Sequence, residues 1–186
     1  RELERNLSPD SIHQKTILFF KQVLTQIRGS KHKIYLLHEP DVLCISKGKE
    51  HKKYEFGNKV SIVKTQNTGV IVGAMGFRNE FDGHTLKPAL EQFNRMIGKE
   101  PKTVSVDRGY RGNTQIGATQ VQIPKPFNDK KQTKYLQKKL KEAHRKRAAI
   151  EPVIGHLKTD HRLGRNFYKG IIGDNINIML AAAAFN

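Results

Sequence analysis

From residue 34 onward the apolar pattern changes its period repeatedly, short β-branched runs alternating with stretches of helical spacing, and this order restricts the possible folds more than any other property of the sequence. Ile34-Tyr-Leu-Leu37 and Val42-Leu-Cys-Ile45 are short apolar runs, broken by Glu39-Pro40 and by Lys47-Gly-Lys49. Tyr54 to Thr65, in which Phe56, Val60 and Ile62 approximate strand alternation, and the fully apolar Gly69-Val-Ile-Val-Gly-Ala74 read as strands, and the short turn Asn67-Thr-Gly69 between them predicts a β-hairpin. A helix is expected from about Thr85 to Ile97, with Leu86, Leu90, Phe93 and Ile97 on one face and Pro88 early, where its missing N–H costs little. Thr103-Val-Ser-Val106 is the next strand and Val121-Gln-Ile123 another, ended by Pro124 and Pro126. A long, basic helix is expected from about Lys131 to Thr159, and Asp174 is placed to cap a last helix that runs to Phe185. Upstream, residues 11 to 28 have helical spacing, with Ser8, Asp10 or Ser11 as N-cap and Gly29 as stop. Strands and helices interleaved in this way predict a mixed α/β layer rather than a bundle.

Composition then limits the partners. Lys and Arg number 34 against 17 Asp and Glu, a net charge of +17, and an excess of that size calls for a polyanion, either nucleic acid or an anionic membrane surface. The longest apolar stretch, Ile178 to Phe185, is well short of the roughly 20 residues of a membrane span, so no span is expected. Hydrophobic residues make up 37% and recur in blocks, which argues against disorder. The single cysteine, Cys44, excludes an internal disulfide framework and fits a reducing, cytoplasmic setting without a signal peptide. The chain opens on Arg1 and closes on an apolar run that reads as a buried helix stopped before any cap, so a fragment truncated at both ends is expected.

Two acids stand out. Asp107 follows directly on an apolar strand and precedes Gly109 and Gly112, which would leave its carboxylate exposed at the strand's C-terminal edge, where ligands bind in open α/β sheets. The alternative is that Asp107 merely opens a turn, since Asp-x-Gly is a common turn sequence. Glu151 is the one acid amid Arg145-Lys-Arg147, Ala148, Ala149, Ile150 and Pro152. On a helix His144, Arg147, Glu151, Gly155 and Lys158 share one face. The plain reading is a solvated helix with Arg147 and Glu151 as an i,i+4 pair, yet Ile150, Val153, Ile154 and Leu157 beside it imply that one side is buried and the charged side meets something anionic.

The segment His144 to Lys158 resembles the Y-x2-R-x3-E-x6-K signature of bacterial insertion-sequence DDE transposases, which have a ribonuclease-H-like fold; Arg147, Glu151 and Lys158 match in type and spacing, and His144 holds the Tyr position. Val104-Ser-Val-Asp-Arg-Gly-Tyr-Arg-Gly112 resembles the segment that carries the second catalytic Asp of the same family. His38 to Lys49, Tyr54 to Ile62, Phe81-Asp-Gly-His-Thr-Leu86 and Ala149 to Lys158 together resemble one transposase subgroup, over roughly residues 31 to 186. Residues 1 to 30 then read as a helical remnant of an upstream or inserted segment, and 31 to 186 as the catalytic domain, a mixed sheet flanked by helices with its N-terminal strand missing.

The resemblance implies metal-dependent cleavage and strand transfer of transposon DNA ends. Acidic side chains would hold two divalent ions, Mg²⁺ or Mn²⁺, about 4 Å apart, one activating the attacking water or 3′-hydroxyl and one stabilising the leaving oxygen. Asp107 would be the second metal ligand and Glu151 the third, with Arg147 and Lys158 on the DNA end or scissile phosphate, and His144 in place to stack or hydrogen-bond. Arg111, Arg108 and Tyr110 beside Asp107 are further candidates for the DNA backbone. The first Asp should lie on the first strand of the sheet. Asp41 precedes an apolar run, but it follows Pro40 and begins its strand, so the preferred reading places the first Asp upstream of Arg1, with Asp41 the lesser candidate.

Residues 125 to 169 hold 14 Lys or Arg and 4 acids, and this run predicts salt-sensitive, largely non-sequence-specific DNA binding. The histidines and Cys44 show no paired zinc spacing, and no P-loop or dinucleotide fingerprint is present. The competing functions are a ribonuclease-H-like nuclease without strand transfer, a non-catalytic basic DNA-binding module, and a ribosomal-type RNA-binding protein, which explains the charge but not Asp107 and Glu151. The resemblance also implies a homodimer or larger assembly on DNA.

Overall fold

The computed structural model describes residues 2–46, 50, 53–78, 80–125 and 133–186. The chain forms two compact units, Arg1–Gly57 and Asn58–Asn186. The first contains α1 (Glu2–Asn6), α2 (Gln14–Thr25) and an antiparallel pair of strands, β1 (Leu43–Ser46) and β2 (Tyr54–Gly57). The expected helix over 11–28 is shortened to α2. Ser8 Oγ accepts the Asp10 N–H and Ser11 Oγ the His13 N–H, so these side chains hold local turns ahead of the helix instead of capping it. The Ile34–Leu37 run forms no strand, although Ile34 is buried.

In the second unit, β3 (Lys59–Lys64) and β4 (Ile71–Phe77) form the expected antiparallel hairpin, closed where the Thr65 N–H donates to the Val70 carbonyl at 2.9 Å. The Tyr54–Thr65 run is thus two strands, interrupted at Asn58. Next comes α3 (Asp82–Ile97), which begins three residues before the expected start and ends on Gly98 in the left-handed region (φ 76°). The earlier start puts Pro88 in the second turn, where it removes the i−4 bond to His84 rather than an unused donor. Beyond it, β5 (Thr103–Ser105) pairs in parallel with β7 (Thr119–Gln122), which pairs antiparallel with the two-residue β6 (Gln115–Ile116).

The basic helix is broken in two, α4 (Lys134–Ala148) and α5 (Glu151–Thr159), and residue 131, where it was expected to begin, lies outside the described residues. The break falls at Ala149–Ile150, just ahead of Pro152, whose ring has no N–H to carry a helical bond back to the Ala148 carbonyl. The last helix, α6 (Gly170–Phe185), starts four residues before Asp174. Asp174 is therefore not its cap: the carboxylate accepts from Asn58 Nδ2 at 2.6 Å and Asn166 Nδ2 at 2.7 Å, and lies 3.9 Å from Arg78 Nη2, tying α6 to the start of β3.

Two apolar clusters hold this unit. Leu157 of α5, fully buried, meets Ile71 and Ala74 of β4 and Ile178, Ala181 and Ala182 of α6. Leu86 and Leu90 of α3 meet Val106 and Val121 beside β5 and β7. The edge of β4 away from β3 is closed by side-chain amides. Gln92 of α3 bonds both the N–H (2.8 Å) and the carbonyl (3.1 Å) of Ala74, Asn186 does the same at Ile71 (2.8 Å each), and Asn175 accepts the Gly76 N–H at 2.9 Å. Three amides thus stand in for a neighbouring strand and leave β4 little to offer another chain. Among the described residues β3 pairs only with β4, and β5 only with β7. The architecture is mixed α/β, as the interleaved pattern predicts, and its order is consistent with a ribonuclease-H-like layout, with the strands in separate pieces rather than one sheet.

Candidate functional site

Val106, the first residue past β5, buries its side chain against α3 and β7, and Asp107 follows it exposed, just beyond the strand's C-terminal end. Its Oδ1 accepts the Gly109 N–H at 2.8 Å and opens a 3₁₀ turn over Arg108–Tyr110. Asp107 is thus the turn opener, and its carboxylate stays exposed beside that turn. Tyr110 packs against the α3–β5–β7 cluster with its hydroxyl 3.3 Å from Thr85 Oγ1, so it serves packing, while Arg108 and Arg111 are exposed.

A second acid stands here. Asp82, the first residue of α3, is held by Lys59, whose Nζ lies 3.0 Å from Asp82 Oδ1 and donates to the Glu80 carbonyl at 2.7 Å. A Cβ on Gly109 would sit 2.6 Å from Asp82 Oδ2 and 3.0 Å from Asp107 Oδ1, so the two carboxylates crowd the same point and would have to give way to any side chain there. Sequence reasoning passed over Asp82 because it lies ahead of the helix expected from Thr85; its one signal was the Phe81–Leu86 match to the transposase subgroup. Gly109→Ala is expected to cost about 1–2 kcal/mol, and less in an Asp82→Ala background, because the contact is then relieved. A urea-denaturation cycle over the two sites measures this, and additive costs would show that the contact does not exist.

Glu151 opens α5, and Arg147 near the end of α4 reaches it, with Nη2 2.5 Å from Oε1. The plain i,i+4 pair is thus present across the Pro152 break. Among the described residues the buried Nε of Arg147 has no hydrogen-bond partner, the kind of unmet donor that calls for an explanation beyond packing. Lys158 is exposed in the last turn of α5, where Gly164 lies so close that a Cβ would be 3.2 Å from the Lys158 carbonyl. His144 hydrogen-bonds the Lys125 carbonyl through Nε2 at 2.9 Å, so its ring ties α4 to the segment after β7. Farther along α5, the hydrogen bond from His156 is the main reason the Asp160 carboxyl stays below its usual range, and Thr159 adds a second.

The acids are carried by different parts of the unit. Asp107 is mounted on the α3–β5–β7 cluster and Glu151 on the helix whose Leu157 fills the β4–α6 cluster. Asp41 is exposed in the turn before β1, in the first unit. Carboxylate oxygens suit a hard divalent ion. Among the described residues, however, no three His, Cys, Asp or Glu side chains come together to hold one, so they do not complete a metal site. Among the described residues no helix is long and apolar enough to cross a membrane.

A mixed α/β unit that sets acids at a strand end and a helix start amid so many cations belongs to the class of domains that handle nucleic acid. Comparison with protein families makes the class specific. The Transposase DDE domain family matches residues 25–186, and the chain belongs to that family, whose members act on DNA. Comparison with curated proteins and with solved structures finds no match.

Proposed function

We propose that this chain is the DNA-engaging part of a transposase catalytic domain, in which Asp107 and Glu151 are two of the carboxylates of a phosphoryl-transfer site and that by itself it binds DNA without cutting it. The observation that carries the reading is the exposed carboxylate of Asp107, presented at the end of a parallel strand by its own Asx turn. Arg111 and Lys158 supply exposed cations for phosphate oxygens, and Arg147 holds Glu151 while keeping further guanidinium donors for a DNA end. His144 positions α4 through the Lys125 carbonyl rather than through a free ring. The ion that the reaction needs, Mg²⁺ or Mn²⁺, awaits another carboxylate. The open edges of β3 and β5 support a further strand there, carrying the first Asp, since both strands pack toward α3 and, among the described residues, neither has a partner on its other side. The domain would work on DNA as a dimer or larger assembly.

The test uses supercoiled plasmid and the 186-residue chain with Mg²⁺ or Mn²⁺. Retention of the plasmid without nicking is expected, both for the wild-type chain and for Asp41→Ala. Nicking that disappears in Asp41→Ala would make Asp41 the first ligand and overturn the claim of inactivity. Glu151→Gln is expected to leave retention nearly intact.

A further inference from the structure

Of the sixteen residues of α6, Asp174 alone is charged, and Asn175 and Asn177 are the only other polar side chains. A helix apolar on nearly every side belongs in an interior. The fold covers one side of it: Gly173, Ile178, Ala181 and Ala182 are buried, Asp174 is held by Asn58 and Asn166, and Asn175 accepts the Gly76 N–H. On the other side Ile172, Ile176, Met179 and Ala183 follow one another at spacings of four, three and four, the seam of a coiled coil. All four are exposed, Ile172 by 74% and Met179 by 57%. The strip is about 16 Å long. Leu180 is exposed beside it, and the exposed Tyr168 lies over Gly173 near its start, where a Cβ on the glycine would be 2.6 Å from the Tyr168 Cβ. None of these side chains is charged, in a chain that carries +17.

We propose that a second copy of this chain covers the strip, the two α6 helices packing antiparallel about a twofold axis that passes between Asn177 and Ile178. Under that operation Ile172 meets the partner's Ala183 and Ile176 the partner's Met179, so large meets small at the ends and no charge is buried. Buried in full, the strip with Leu180 and Tyr168 removes about 550 Å² from each copy and about 1,100 Å² from the pair, just above the roughly 1,000 Å² that a specific interface needs. An uncharged strip offers a polyanion nothing to pair with, and an isologous contact closes on two copies. Charge acts against the pair, because two copies of +17 repel. Salt screens that repulsion and leaves apolar burial in place, so it strengthens the pair where it weakens DNA binding. The proposal rests on the dimeric reading above and deepens it, naming the surface and making the pair independent of DNA.

Sedimentation equilibrium of the wild-type 186-residue chain at about 100 µM, without DNA, is expected to show a dimer whose dissociation constant falls as salt rises from about 50 to about 300 mM. The variant I176E/M179E is expected to raise that constant about tenfold or more, because it sets like charges against one another at the centre of the seam. The added acids lower the overall repulsion between copies, so the loss reports on the seam itself. Its urea midpoint in dilute solution should match wild type, since both side chains are exposed; where the midpoint falls, a cysteine pair decides instead. With Cys44→Ser as background, oxidation is expected to link I172C/A183C into dimers and to leave A183C unlinked, because antiparallel pairing sets the two 183 positions about 16 Å apart. A monomer at this concentration in both salts, a dimer that I176E/M179E leaves unchanged, or linking of A183C as rapid as that of I172C/A183C overturns this proposal alone. Retention of plasmid, read separately, decides the DNA-binding reading.

Discussion

Raising the salt from about 50 to about 200 mM is expected to weaken binding of this chain to duplex DNA by about a thousandfold or more. The expectation follows from the distribution of charge. Of the +17 excess, the segment 125–169 holds 14 Lys or Arg against 4 acids, and several of those cations, Lys134, Lys138, Arg145 and Lys158 among them, are exposed on α4 and α5. If six or more of them meet phosphates, each displaces condensed counterions, and the free energy of that release shrinks as bulk salt rises. Fluorescence anisotropy with a labelled duplex across the salt range reads the slope directly. Affinity that stays flat between 50 and 300 mM would mean that binding does not run through the backbone. Scrambling the duplex sequence should change little, because phosphate contacts carry no sequence information.

Leu157→Ala is expected to cost about 3–4 kcal/mol of stability in the second unit. Leu157 is fully buried among Ile71, Ala74, Ile178, Ala181 and Ala182, with Ile62, Val153, Leu163 and Phe185 packed around that cluster. It is the side chain through which α5 joins β4 and α6. Truncation leaves a cavity that these neighbours cannot close without moving a helix, and it frees the element that carries Glu151 and Lys158. Leu180→Ala on α6 is the matched control: Leu180 is 56% exposed, and its loss should stay within about 0.5 kcal/mol. Urea denaturation of both variants gives the comparison, and equal midpoints would show that α5 is not held by this contact.

What the sequence reveals of this molecule depends on how far apart the interacting residues lie. The β3–β4 hairpin is legible because Val60, Ile62 and the Ile71–Ala74 run signal their conformation locally, and Asp107 is legible because strand, acid and glycines are contiguous. The break between α4 and α5 was missed because a helical period continues across it and outweighed Pro152, whose chemistry was in plain view. Asp174 was misread as a cap because its partners, Asn58 and Asn166, are brought to it only by the fold. The same distance hid Asp82 beside Gly109, and the amides of Gln92, Asn175 and Asn186 on β4, which reach across 18, 99 and 115 residues of chain and leave no periodic trace.

Those amides also limit how the molecule can grow. A strand pair with two exposed edges is a template that copies itself without end, as in fibrils. Here one side is terminated in advance, so among the described residues this hairpin can be extended only through β3, the edge a further strand of the domain would take, and growth in both directions is blocked.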